Sequence, residues 1–135
     1  MAPLYIDTSA VLRAILETGT TPAVERRLAE APTLLTSRLS RVEGARALLR
    51  LRREGRVGET ALADAARCLA ELWARCEIWE LTKTVCDLAA QVAPLHPLRT
   101  LDALHLATFL EARLRFPDLE ILMTDQRLAA AAAQV

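Results

Sequence analysis

Four short apolar runs in this chain alternate with segments whose apolar residues recur at helical spacing. The runs have the length and residue types of buried strands and cover residues 3–6, 32–36, 77–81 and 119–123. One or two helical segments separate each run from the next, and no tight hairpin joins any two of them. Strands connected in this way pair in parallel through helical crossovers. The order of segments therefore predicts an α/β fold, a small parallel sheet with helices on both faces, in three layers.

The helical segments begin and end at recognisable signals. Pro22 follows Thr21 as a proline at a first helical position, Thr100 is suited to cap a later helix, and Pro117 stops that helix. The predicted helices cover residues 8–17, 22–30, 38–54, 59–75, 83–92, 100–115 and 125–133. With 135 residues and no repeat or linker, residues 1–135 are expected to form a single domain.

Composition narrows the class of protein. No apolar stretch approaches the roughly 20 residues that cross a bilayer, and the N-terminus lacks a signal sequence, so a cytoplasmic protein without membrane spans is expected. The three cysteines are odd in number and lack CxxC spacing, so neither a disulfide framework nor a zinc site is indicated. They are predicted to be reduced and mostly buried. Nucleotide-driven chemistry is disfavoured because no glycine-rich phosphate loop is present.

Four carboxylates lie where a predicted strand gives way to a helix, or in the first turns of a helix. They are Asp7, Glu43, Asp102 and Asp125. In an open parallel sheet these junctions gather at the carboxyl ends of the strands, where ligands usually bind. Such a cluster repels itself unless a cation neutralises it, and hard oxygen ligands suit Mg²⁺ or Mn²⁺. A shared metal site that handles phosphate is the resulting hypothesis.

Each acid also has a purely structural interpretation. Asp7 and Asp125 could cap helices, and the helix dipole alone would favour Asp102 in a first turn. Glu43 lies three residues after Ser40, the spacing of a capping box, although earlier hydroxyls at Thr36 and Ser37 offer an alternative cap. Nothing in capping requires the four acids to lie at one edge, so their shared position favours the metal site.

Two further features have plain structural explanations. Seven arginines and two glutamates lie between Arg38 and Arg56, a local excess that could follow a phosphate backbone although the net charge of the chain is zero. A solvated helix face is the simpler explanation of this stretch. His105 lies one turn after Asp102 among apolar residues, so it is interpreted as a hydrogen-bonded core residue and is not assigned to the metal.

The four acidic segments together resemble the PIN-domain ribonucleases and, within them, the toxins of VapBC toxin–antitoxin pairs. The likeness covers nearly the whole chain and rests on Tyr-Ile-Asp7-Thr-Ser-Ala, Thr-Ser-x-Leu-Ser-x-Val-Glu43, Arg-Thr-Leu-Asp102-Ala-Leu-His-Leu-Ala and Leu-Met-Thr-Asp125-x-x-Leu. The resemblance implies a Mg²⁺- or Mn²⁺-dependent endoribonuclease, usually dimeric, whose small antitoxin lays a C-terminal segment in a groove near the active site. The alternative is a non-catalytic PIN-like domain that binds protein or RNA.

Roles follow for individual residues. Asp7 and Asp102 are assigned as direct metal ligands, and Glu43 and Asp125 complete the set directly or through water. The hydroxyls of Thr8, Ser9 and Thr124 are candidates to orient those carboxylates. Arg99, beside the Asp102 turn, is expected to contact substrate phosphate. The sequence encodes no RNA target, because RNA recognition depends on loop shape and splayed bases.

Overall fold

The computed structural model of the protein describes residues 2–124 and 126–134, apart from the side chains of Gln126 and Arg127. Within that part of the chain, four strands form one sheet: β1 (Leu4–Ile6), β2 (Leu34–Ser37), β3 (Cys76–Trp79) and β4 (Glu120–Leu122). The helices are α1 (Thr8–Leu16), α2 (Pro22–Glu30), α3 (Arg38–Glu54), α4 (Glu59–Arg75), α5 (Lys83–Ala89), α6 (Thr100–Arg115) and α7 (Gln126–Ala133). None of these helices is long and apolar enough to cross a membrane.

All pairings in the sheet are parallel, as predicted, and the strand order is β3-β2-β1-β4. Central strand β1 aligns Leu4 with Leu34 on one side and with Glu120 on the other. Parallel pairing requires helical crossovers, and it leaves the carboxyl ends of all four strands at one edge. That edge contains the first residues of α1 and α3.

Side chains alternate across the sheet and form a core on each face. Leu4 and Ile6 of β1 pack with Leu34 and with residues of α1, α2 and α4. Tyr5 points to the opposite face and packs with Leu35 and residues of α6 and α7. Alternation at period two therefore divides β1 between two helical layers, which confirms the predicted three-layer α/β architecture.

The segment around β3 differs from its prediction. The strand begins at Cys76, directly after α4, and ends at Trp79 instead of residue 81. The Thr82 hydroxyl accepts a hydrogen bond from the Val85 backbone N–H at 3.2 Å and so caps α5, and residues 80 and 81 link β3 to this cap. All four residues of this edge strand are half-buried, so their burial does not alternate along the strand.

The predicted state of the three cysteines is partly wrong. All are unpaired thiols, as expected, but Cys68 and Cys76 are only half-buried and Cys86 is exposed. Burial raises the pKa of Cys76 to about 11, so its thiol is protonated at neutral pH. The cysteines lie on α4, at its junction with β3, and on α5, and they take no part in the carboxyl edge of the sheet.

Candidate active site

Asp7 leaves the end of β1 and performs two structural tasks at once. Its Oδ1 accepts a hydrogen bond from the Ala10 N–H at 3.1 Å, which caps α1, and its backbone N–H donates to the Leu122 carbonyl at 3.2 Å. The capping interpretation of Asp7 is therefore correct. Only 4 % of Asp7 is exposed, and burial, aided by the charge of Glu43, raises the pKa of this carboxyl. A nearby cation would stabilise the ionised form of the Asp7 carboxyl.

Hydroxyl groups hold the second oxygen of the same carboxylate. Ser9 Oγ donates to Asp7 Oδ2 at 2.7 Å, and Thr124 Oγ1 donates to Ser9 Oγ at 3.0 Å. This chain of hydrogen bonds joins the start of α1 to the segment after β4. The hydrogen bond from Ser9 also lowers the pKa of Asp7 and so opposes the effect of burial. Ser9 and Thr124 are thus placed to orient Asp7, the supporting role that the sequence suggested for them.

The Glu43 carboxylate takes no part in capping α3 among the described residues. Ser37 caps α3 by accepting from the Leu39 N–H at 3.1 Å, and Ser40 is hydrogen-bonded to the Thr36 hydroxyl at 2.7 Å. The capping-box interpretation of Glu43 is therefore wrong, because the earlier cap at Ser37 places Glu43 inside the helix.

Two donors meet at one oxygen of the Glu43 carboxylate. Thr8 Oγ1 donates to Glu43 Oε1 at 2.5 Å, and His105 Nε2 lies 2.7 Å from the same oxygen. Burial alone would raise the pKa of Glu43, but the hydrogen bonds from His105 and Thr8 outweigh it and lower the pKa below its usual value. Glu43 is therefore held as an ionised carboxylate beside the buried Asp7.

Asp102 lies in the first turn of α6 and pairs with the residue before that helix. Arg99 Nε donates to Asp102 Oδ2 at 3.3 Å, and the charge of Arg99 also lowers the pKa of Glu43. The N-cap position belongs to Arg99, not to Thr100 as predicted, and no side chain caps the helix there. The cation of Arg99 thus lies close enough to influence both carboxylates.

The donor set suits a hard divalent cation, although the described residues do not complete a binding site for one. Among residues 2–124 and 126–134, no group of three histidine, cysteine or acidic side chains is arranged to hold a metal ion. Asp125, the predicted fourth acid, lies outside the described residues. Asp7, Glu43 and Asp102 offer carboxylate oxygens, the ligands that Mg²⁺ and Mn²⁺ prefer, and the buried charge of Asp7 favours a cation nearby. By their chemistry these residues fit such an ion.

A groove of about 760 Å³ runs alongside this site between α1, α3 and α4. Its apolar lining includes Leu12, Ile15, Leu16, Leu51 and Val57. Ser9 and Thr124, which support Asp7, also line the groove, while Arg13, Glu17 and Asp64 add charge to it. The groove is therefore mainly apolar, and its polar residues Ser9 and Thr124 border the candidate site.

The arginine-rich stretch forms a solvated helix surface, the simpler of its two interpretations. Arg38, Arg52 and Arg56 make exposed ion pairs with glutamates. Four other exposed arginines make no ion pair within the described part of the chain, namely Arg41, Arg46, Arg50 and Arg53. Exposed pairs of this kind contribute little to stability, so these charges are available to an anionic partner.

Comparison with known proteins agrees with this architecture. The sequence pattern of the PIN domain matches residues 4–134. Ribonuclease VapC46 of Mycobacterium tuberculosis is 37% identical over 108 residues, which is 80% of this chain and 75% of that protein. Ribonuclease VapC45 from the same species is 36% identical over 129 residues, 95% of this chain and 88% of that protein. The chain therefore belongs to the PIN-domain family, and within it to the VapC type.

Solved structures share the fold at lower sequence identity. PAE2754 from Pyrobaculum aerophilum has a TM-score of 0.67 at 21% identity, over 96% of this chain and 79% of that one. VapC20 of Mycobacterium tuberculosis, described as a toxin that cleaves the sarcin–ricin loop, has a TM-score of 0.64 at 19% identity, over 95% and 94%. A toxin–antitoxin complex from Klebsiella pneumoniae has a TM-score of 0.63 at 17% identity, over 91% and 87%. At these identities the likeness concerns the fold.

Proposed function

We propose that this chain is an endoribonuclease that requires Mg²⁺ or Mn²⁺ and acts as the toxin of a toxin–antitoxin pair. The observation that carries the proposal is the buried Asp7 beside the ionised Glu43 at the carboxyl edge of a parallel sheet. A pair of acidic side chains held this way is costly to a protein unless it serves a cation. The names of the curated VapC relatives support RNA as the substrate.

In the proposed mechanism, Asp7 and Asp102 would hold the cation directly, and Glu43 and Asp125 would complete the set. A bound divalent cation polarises a phosphodiester and lowers the pKa of water near it. Attack by water would break the bond between phosphorus and the 3′ oxygen, which leaves a 5′-phosphate and a free 3′-hydroxyl.

The remaining residues of the site would position these groups. Ser9 and Thr124 fix the Asp7 carboxylate, and Thr8 fixes Glu43, by the hydrogen bonds described above. We assign Arg99 to the substrate phosphate, because its guanidinium pairs with Asp102 and its charge lowers the pKa of Glu43, so a cation suited to bind phosphate lies beside the acids. The exposed arginines of α3 would follow the RNA backbone away from the cut.

Metal dependence is the direct test of the proposed activity. Purified protein freed of metal with a chelator is expected to leave a structured RNA intact, and added Mn²⁺ or Mg²⁺ is expected to restore cleavage with 5′-phosphate ends. Gel analysis of end-labelled RNA would measure both. If the protein binds the RNA but never cuts it with either metal, the non-catalytic binding module is the correct alternative.

We further propose that the antitoxin segment occupies the groove beside the site. The apolar lining would receive apolar side chains of an extended or helical segment, as in other complexes that order a flexible tail. Because Ser9 and Thr124 belong to both the groove and the site, a segment lying there would reach the carboxylates. Blocked access to Asp7 would then silence the enzyme.

A homodimer is the expected state of the free protein. Several large apolar side chains are exposed on its helices and loops, including Leu95 at 94%, Leu114 at 78% and Val42 at 55%. Exposed apolar residues that form one contiguous patch are commonly covered by a partner. Light scattering of the purified chain is expected to give about twice the chain mass, and a monomer at micromolar concentration would contradict this expectation.

A further inference from the structure

A buried pair of aromatic side chains lies behind Glu43, and the proposed mechanism does not yet use it. Tyr5, fully buried in β1, has its hydroxyl 2.9 Å from His105 Nδ1. The two rings meet edge to face with centroids 6.1 Å apart. The other ring nitrogen, Nε2, lies 2.7 Å from Glu43 Oε1. One histidine on α6 therefore connects a strand of the sheet to a carboxylate on α3.

Hydrogen-bond chemistry indicates that Nε2 of His105 carries a proton. An ionised carboxylate can only accept, so a hydrogen bond of this length requires a proton on Nε2. In a neutral imidazole the other nitrogen is then an acceptor, and the Tyr5 hydroxyl is a donor suited to it. The Tyr5 hydroxyl lies 2.9 Å from Nδ1 and has one proton to donate. Both ring nitrogens of His105 are satisfied in this arrangement.

We infer that His105, anchored by Tyr5, is a positioning residue that fixes the orientation of Glu43. The inference rests on the proposed function, since it assigns a task within the same site. Glutamate has three side-chain torsions, and its free carboxylate would sample many orientations. Here the donors from His105 and Thr8 converge on Oε1, so the orientation of the whole carboxylate is set.

The position of His105 in the fold makes it a rigid anchor. The ring is 3% exposed and lies among the buried residues of α6, next to Leu106 and Phe109. Tyr5 is in edge-to-face contact with Phe109 as well, at a centroid distance of 6.0 Å. Packing on every side restrains both rings, so the hydrogen bond to Glu43 is offered from a fixed point.

The first measurement is made on the metal-free protein without RNA. Long-range ¹H–¹⁵N spectra are expected to show that Nε2 of His105 carries a proton. In Tyr5→Phe the Nδ1 signal is expected to shift, because its hydrogen bond is gone. A proton on Nδ1 and none on Nε2 in the wild type would overturn the inference, because Nε2 could then donate nothing to Glu43.

The second measurement compares two substitutions of similar size. His105→Leu fills the space but has no donor, whereas the amide N–H of His105→Gln can still reach Glu43. We expect His105→Leu to weaken Mn²⁺ binding and to lower kcat by about 10- to 100-fold with little change in KM. His105→Gln is expected to recover most of both losses, and Tyr5→Phe to fall between wild type and His105→Leu.

Thr36→Val serves as the matched control. It removes another fully buried hydroxyl in the sheet, one that donates to the Ile6 carbonyl, lies 2.7 Å from the Ser40 hydroxyl and makes no hydrogen bond to His105 or Glu43 among the described residues. Mn²⁺ affinity by calorimetry and kcat should match wild type in this control once melting curves confirm that it folds. If Thr36→Val loses as much as Tyr5→Phe, a general loss of stability explains both, and the inference is wrong.

The outcomes separate this inference from the proposed function. If the wild type cuts RNA and binds Mn²⁺ while Tyr5→Phe, His105→Gln and His105→Leu do so equally well, the positioning role alone is overturned. If His105→Gln fails as badly as His105→Leu, a role for the donated hydrogen bond is also overturned. A wild type that neither cuts RNA nor binds Mn²⁺ overturns the proposed function, and the positioning role falls with it.

Discussion

Replacing Asp7 with Asn is expected to lower the rate of RNA cleavage by about 100-fold or more, since losses at mere supporting residues of metal sites already reach 10- to 100-fold. The substitution removes one negative charge but keeps the oxygen that caps α1 through the Ala10 N–H. The enzyme should therefore fold and yet lack a ligand. Initial rates on a defined RNA at saturating Mn²⁺ would measure the loss.

Asp118→Asn is a suitable control for this substitution. Asp118 is exposed and lies just before β4, at the opposite edge of the sheet from Asp7. The Asp118→Asn variant should cleave RNA like the wild type.

Asp102→Asn should lose activity as Asp7→Asn does. The double variant should be little slower than either single variant, because residues that act as a unit lose their effect together. Full activity in Asp7→Asn, with contaminating nucleases excluded, would remove the basis for the site.

Asp7→Asn is also expected to change the thermal stability of the metal-free protein. Without metal, the melting temperature of Asp7→Asn should hold or rise above that of the wild type, because burial and Glu43 both disfavour the Asp7 charge. The pKa of Asp7 is raised in the folded state, so its charge destabilises the fold fully above that pKa. This destabilisation disappears as the pH falls through the pKa and Asp7 takes up a proton. The difference in melting temperature should therefore shrink toward acid pH, as thermal melts in chelator would reveal.

The fold was largely predictable because the relevant signals are local. Short apolar runs and helical periodicity indicate strands and helices, and the lack of hairpins enforces parallel pairing. The errors occurred where two local signals compete. Residues 80 and 81 were predicted to continue the strand because of their alternation, but β3 ends at Trp79 and the Thr82 hydroxyl caps α5. Thr100 was likewise expected to cap α6, but the cap position is Arg99 and Thr100 is the first residue of the helix.

The site was predictable only in part. Asp7, Glu43 and Asp102 can be recognised from their junctions, because the carboxyl edge of a parallel sheet is a consequence of topology. The network behind Glu43 is a different matter, since Tyr5 and His105 are 100 positions apart and His105 and Glu43 are 62 apart. His105 was correctly predicted to be a buried, hydrogen-bonded residue. Its partners depend on how α6 packs over the sheet, which no local pattern encodes.

Expression of this chain alone in a bacterial host is expected to slow growth strongly, and expression of Asp7→Asn is expected not to. The proposed toxicity requires catalysis, because an endoribonuclease destroys many RNA molecules per enzyme whereas a binding module occupies only one at a time. Growth curves after induction, with equal protein levels checked by immunoblot, would measure the difference. If Asp7→Asn were as toxic as the wild type, RNA or protein binding without cleavage would be the cause.

Co-expression with the antitoxin is expected to restore growth. The candidate is the product of a neighbouring short open reading frame, and the two chains should purify together as a complex without RNase activity. Because the groove between α1, α3 and α4 borders Asp7 through Ser9, a charged substitution in its apolar lining should release the enzyme. Leu12→Glu is such a change, since burying an unpaired charge against an apolar partner is costly. The variant should still cleave RNA when alone yet stay toxic beside the antitoxin; if the antitoxin still silences it fully, the inhibitor binds elsewhere.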